Sequence, residues 1–559
     1  MKKSSFWKIF DRLFSPSESP EKVLTSSPAP ARARSSLGSR SEMGGNGVKT
    51  PPTLRYAPRP PSPTEPDSPQ QQRRDLYHAI RSHIWQEHGR AQIHGWSQPP
   101  SWQGRDPSVG NNQVPVLTQL RLLDQKDPST KLWCAAAAVA RTVGSGDPDT
   151  MGSSGCSSSP ALWVASGTPA ASEISLLDAQ SPNQLLQHFV LTSTHVLCLA
   201  CLPGLAPPEG GGSNFEPEIV DNPLAPGPDN DGEATETGGV GTKPTLWLGT
   251  QEGSIYIHTA ESDWRRCQKK VQLKDAIHSI IHAQGRAVAA LGDGSLAIFH
   301  RDADCCWDLL HPRLVELGRP RCSVRCALPV SEQIWCGFRN RVYVVDPRFA
   351  RIQRYFEVTP HAESQVRHMA ASNTGVWVSV RLQATLRLLH VETGQPLQEV
   401  ELVPFITRTL GPSSLALSLH ISALGTFGNR LWVGTSGGIV IAVPFTQDVP
   451  GTSEPPSLTG APPCCAMELA QISYHAHRDA VRFFISVPGC LNSLSAGSHE
   501  NLHQDGLSQP SALVLSGGEG YINLRIGDNS DERYGDLLLA NPRLRRAERS
   551  HLIVWQIQA

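Results

Sequence analysis

Residues 431–445 read LWVGTSGGIVIAVPF: an apolar run with Trp432 second, the small-residue stretch Gly434-Thr435-Ser436-Gly437-Gly438, then IVIAV. The stretch satisfies G-x-S-x-G, the pattern of a hydrolase nucleophile elbow, in which a strained turn joins a strand to a helix. After Ser436, however, the chain continues as a β-branched, strand-like segment. The glycines are therefore expected to serve a tight hairpin turn, and Ser436 is not expected to be a nucleophile.

The hairpin recurs along the chain. ALWVASG near 161, LWLGTQEGSIYIH from 246, VAALGDGSLAIFH from 288, IWCGFRNRVYVVD from 334, VWVSVRLQATLRLLH from 376 and LVLSGGEGYINLRI from 513 share its form. The central copies start about 42 to 55 residues apart, the period of a four-stranded propeller blade. Seven copies predict an all-β, WD-type β-propeller of seven blades over 131–559. Wider gaps hold Gly-, Pro- and Ser-rich insertions near 203–244, 446–463 and 489–511, expected to be disordered loops. A ring leaves no free sheet edge only if it closes, so HLIVWQI at 551–557 is expected to pair with KLWCAAAAVA at 131–140 beside the ALWVASG hairpin.

Ahead of the repeats, residues 1–72 are Pro- and Ser-rich and cannot repay their ordering entropy, which predicts a disordered tail. Within it, Phe6, Phe10, Leu13 and Phe14 predict a short amphipathic helix at 4–14. Residues 73–130 read as a helix, with Leu76, Ile80 and Ile84 on one face, and an extended lead-in. The 50 Lys and Arg balance 51 Asp and Glu, and the basic residues are scattered, so no nucleic-acid partner is expected. No run of about 18 apolar residues suggests a transmembrane segment. An odd count of 13 cysteines without a signal peptide suggests reduced thiols and a cytoplasmic chain.

Other motifs point to chemistry without completing it. His477-Arg478-Asp479 begins a kinase catalytic loop, but Phe484 stands where the metal-binding Asn belongs. His475 and His477 could share a strand face, yet no second ligand pair lies nearby; Cys198/Cys201 and Cys322/Cys326 sit on apolar strands and read as buried thiols. The RRAERSHLIV tail resembles a kinase docking peptide, although Leu552 and Val554 are needed by the closing strand. The expectation is a non-enzyme with no catalytic, cofactor-binding or metal-ligating residue.

The repeats quoted above, with ESQVRHMA, HAHRDAVRFFISVPG, AERSHLIVWQI and, upstream, SSFWKIFDRLFS, EHGRAQIHGWSQP and LLDQKDPSTKLWC, resemble the C-terminal half of the JNK-interacting proteins of types three and four, the sunday driver group. The resemblance implies a cytoplasmic, perinuclear or vesicle-associated phosphoprotein scaffold that links JNK-pathway kinases and cargo to kinesin light chain and to dynein with dynactin. The family's N-terminal coiled coils have no counterpart in this sequence, so the chain resembles a truncated form. Such a form would bind partners without linking them; a propeller hydrolase is the enzymatic alternative.

Overall fold

The computed structural model describes residues 69–88, 95–100, 115–123, 129–138, 161–179, 185–205, 240–260, 264–319, 321–446, 462–488, 511–525 and 549–558. The expected helix at 4–14, nearly all of the 1–72 tail and the greater part of the three insertions lie outside them.

The second strand of a blade explains the architecture. In Thr245–Thr250 every residue is buried, because its alternating side chains enter two different apolar layers. Leu246 and Leu248 face the preceding blade, while Trp247 faces the following one. A strand covered on both faces must be apolar throughout, which is why LWLGT, IWCGF, VWVSV and LWVGT look alike. Among the described residues there are seven such sheets of four or five strands, plus one two-stranded ribbon. Seven apolar layers separate them, one between each pair of neighbours. The fold is a seven-bladed β-propeller, and its core is this set of radial layers.

Numbering the blades along the chain, their innermost strands are Lys131–Ala137, Val196–Leu202, Ile277–Ala283, Cys326–Val330, Val366–Ser372, Ile421–Phe427 and Val481–Pro488. These seven touch in cyclic order, the last against the first. Close approach between blades needs a small residue. A Cβ on Gly249, Gly337, Gly434 or Gly517 would lie 2.7, 2.8, 2.5 or 2.6 Å from Ile277, Val366, Val481 or Leu132 of the next blade. Gly434 thus sits within a strand for reasons of packing; the bend belongs to Gly438, whose φ of +83° favours glycine.

Closure differs from the expectation. Ser550–Gln558, the strand containing HLIVWQI, pairs with Ser511–Glu519 on one side and with Val116–Leu122 on the other, and so belongs to the seventh blade. Lys131–Ala137 instead opens the first blade, paired with Ala161–Thr168. The two segments therefore lie in different blades, and the outermost strand of the seventh, Val116–Leu122, comes from the segment read as a lead-in. The seventh hairpin is also incomplete: beyond the Ser511–Glu519 strand, Ile522–Asn523 pairs with His475–Ala476 in the separate ribbon, and Ser550–Gln558 takes the third place in the blade.

Among the described residues two α-helices pack on the ring, one of them without a signal in the repeats. Helix α1 (Pro69–His88) buries Tyr77, Ile80 and Ile84 against helix α2 (Leu402–Leu410), which lies between blades five and six and buries Leu402, Phe405, Ile406 and Leu410. Gly411, with φ +87°, ends α2 and lets His83 pass; a Cβ there would lie 2.6 Å from His83 Cγ. Downstream, Trp96 forms an antiparallel bridge with Ser473 and packs its ring on Trp432 and Trp555 at 5.7 and 6.0 Å. Its indole N–H donates to the Pro115 carbonyl at 2.7 Å, just before the outermost strand of blade seven.

Candidate functional site

Among the described residues, Ser436, His475, His477, Cys198 and Cys326 each have a structural occupation. Ser436 lies in the turn between Arg430–Thr435 and Val440–Thr446, with a strand and no helix after it. Its amide and its hydroxyl both donate to the His420 carbonyl, at 2.9 and 3.3 Å. A base to activate that hydroxyl would have to displace this arrangement.

The two histidines of HAHRD point to different partners. His475 Nδ1 shares a hydrogen bond with the Tyr521 hydroxyl at 2.8 Å, and His477 Nε2 shares one with Ser516 Oγ at 2.9 Å. Burial holds both below the ordinary histidine range, His475 at about 4 and His477 at about 3, with Arg525 and His551 respectively adding to the effect. They are neutral structural groups at pH 7. Asp479 Oδ1 accepts from the Ala480 amide at 2.8 Å, a turn contact. Among the described residues no group of three His, Cys, Asp or Glu could hold a metal ion.

Cys198 and Cys326 occupy equivalent places on the innermost strands of blades two and four, beneath Gly249 and Gly337. Burial pushes both thiols up to about 12, so neither forms the reactive thiolate. Leu552 and Val554 are each 1% exposed in the closing strand, which withdraws them from the role of a docking peptide.

Sequence reasoning missed one assembly. On six of the seven innermost strands the ladder skips one residue shortly after the strand begins, a β-bulge. The skipped residues include His278, Arg367 and Arg482, and Arg325 holds the corresponding place just before Cys326. Because innermost strands ring the axis, basic residues far apart in sequence meet at one mouth of the propeller. Arg325 Nη1 lies 3.3 Å from His278 Nδ1. Arg381, in the turn between the second and third strands of blade five, completes the group: burial first and then Arg381 lower the Arg325 pKa, while burial, Arg325 and Arg381 lower that of Arg367. The recurring Val-Arg pairs at 324–325, 366–367 and 481–482 are the signal that could have revealed it.

A closed ring of seven radial sheets with mutually packed innermost strands defines a propeller that presents loops on a rigid disc. The chain belongs to the WD40 repeated-domain family, whose pattern it matches over residues 124–512. It is 30% identical to mouse C-Jun-amino-terminal kinase-interacting protein 3, over 100% of this chain and 57% of that protein. It is 31% identical to human C-Jun-amino-terminal kinase-interacting protein 4, over 100% of this chain and 58% of that protein. A Caenorhabditis elegans JNK-interacting protein is 28% identical over 87% of this chain and 52% of its own length. The resemblance to the types three and four group therefore runs along the whole chain, which spans a little over half the length of these relatives. Among the described residues no helix is long and apolar enough to cross a membrane.

Proposed function

We propose that this chain is a non-enzymatic adaptor, a rigid disc whose rim and loops gather protein partners of a JNK cascade. The observation that carries the reading is the relation, along the whole of this chain and a little over half of theirs, to proteins named for interaction with C-Jun-amino-terminal kinase. The hydrogen bonds of Ser436, His475 and His477 support it, since the Ser436 hydroxyl, His475 Nδ1 and His477 Nε2 serve a turn and buried contacts. A closed propeller fits this role because its blades hold many loops at fixed separations, so several partners can dock without a conformational change. Kinase-module proteins, kinesin light chain and dynein with dynactin are the proposed partner classes, in the cytoplasm and on vesicle-associated cargo. The test is affinity capture with the full chain, followed by direct binding of purified C-Jun-amino-terminal kinase and kinesin light chain. Saturable binding of either supports the adaptor; failure to retain any kinase, motor or vesicle component removes it.

A further inference from the structure

We propose that the basic mouth of the propeller, formed by Arg325, Arg367, Arg381 and His278, is a binding site for a phosphoryl anion. The inference does not rest on the adaptor reading.

Arg325 and Arg367 stand at the same end of the adjoining innermost strands of blades four and five, the Arg381 amide donates to the Gln365 carbonyl at 2.7 Å beside them, and His278 of blade three lies 3.3 Å from Arg325. Like charges at such range repel, and proteins ordinarily interleave carboxylates to offset that. Elsewhere on this disc they do: Arg341 pairs with Glu357 at 2.6 Å and Arg387 with Glu399 at 3.1 Å. Among the described residues, none of Arg325, Arg367 and Arg381 forms an ion pair with a carboxylate. Asp275 is the carboxylate that acts on the group, through His278. Cys322 lies near Arg325 and Cys326 near Arg367; His368, beside Arg367, and His420, beside Arg381, are both held toward the neutral form by burial and then by those arginines.

The chemistry selects the ligand. Guanidinium groups offer planar, paired N–H donors that match the oxygens of a phosphoryl group, and several of them around a concave mouth focus the field on an anion there. Arg325 and Arg381 are solvent-exposed and Arg367 half-buried, so the donors can reach an incoming group. Beside them Leu382 adopts φ +60° and is 66% exposed, an apolar contact at the rim of the same mouth. A phosphoryl group reaches this place either as a small free anion or on a phosphorylated protein segment, and the recognition chemistry is the same.

Calorimetric titration of the full chain at pH 7 and low salt, with sodium pyrophosphate and separately with an acetyl-Ala-Ala-phosphoserine-Ala-Ala-amide peptide and its unphosphorylated form, tests the site. Saturable binding of pyrophosphate or of the phosphopeptide is expected, weakening as chloride rises. The variant R325Q/R381Q changes only exposed side chains and is expected to lose about tenfold or more in affinity. R351Q, on the outer strand of the fourth blade, is the control and should bind as the parent does. Preference for pyrophosphate assigns a free anion, and preference for the phosphopeptide over its unphosphorylated form assigns a protein-borne group. Absence of saturable binding by the parent chain, or equal binding by R325Q/R381Q with an unchanged melting temperature, overturns the proposal.

Discussion

Glu519 accepts the Leu132 amide proton through Oε1 at 2.7 Å, across the seam where the seventh blade meets the first. Its other oxygen accepts from the Ser550 hydroxyl at 2.8 Å, so one carboxylate ties together the start of the first blade and the start of the closing strand. Replacing it with alanine leaves a buried amide without its acceptor, and E519A is expected to lose about 1–3 kcal/mol in urea unfolding. Burial raises the pKa of Glu519 above the ordinary value of 4.5, against the pull of its hydrogen bonds. The native state therefore binds its proton more tightly than the unfolded chain, and this group's contribution falls as pH rises from 4.5 through the folded value. E519Q keeps an acceptor and removes the charge, so it should gain on the parent between pH 4 and 7. An E519A protein as stable as the parent would refute the staple.

His475 and His477 titrate in the opposite sense. With folded values at about 4 and about 3 against 6.5 for the free side chain, the unfolded state takes up their protons first. Stability is complete above pH 6.5 and is lost as pH falls toward the folded values, by about 1.4 kcal/mol per pH unit for each group. The slope of unfolding free energy between pH 5 and 6 should flatten by about that amount in H477Q. Equal slopes for H477Q and parent would show that His477 is not buried neutral.

Gly434 and Ser436 should respond in reverse of what a hydrolase requires. A Cβ at Gly434 would meet Val481 of the next blade at 2.5 Å, so G434A is expected to cost about 1–3 kcal/mol by overpacking. S436A removes a weak 3.3 Å bond to a carbonyl and should cost under about 1 kcal/mol. A fluorophosphonate probe should leave Ser436 unlabelled by mass spectrometry; covalent labelling there would revive the nucleophile.

Deleting residues 550–559 removes the third strand of blade seven and the ring of Trp555 that packs on Trp432 at 5.3 Å. Two strand edges are then exposed, and an insoluble product is expected. A truncated protein that stays monomeric in light scattering and melts cooperatively would count against closure through this strand.

The hairpins around Trp247, Trp335, Trp377 and Trp432 were legible because a turn and its flanking strands depend on residues within a few positions of one another. The turn at Ser436 followed from the same local context. The glycines of those hairpins were half legible: Gly438 bends the chain, whereas Gly434 makes room for Val481, a residue of the neighbouring blade. Helix α2 was missed because its apolar positions read equally well as a blade-edge run, and burial against Tyr77 and Ile80 decides in favour of the helix.

By itself, then, the amino-acid order determined the repeating unit and the count of blades, since each is written in short-range periodicity and turn chemistry. Only the tertiary structure decided which strand closes the ring, why Trp96 is needed beside Trp432 and Trp555, and that Arg325, Arg367 and Arg381 share one mouth. The physical reason is circular geometry: closing the ring brings together residues separated by hundreds of positions, as Leu132 and Glu519 are, and no local pattern along the chain encodes that distance.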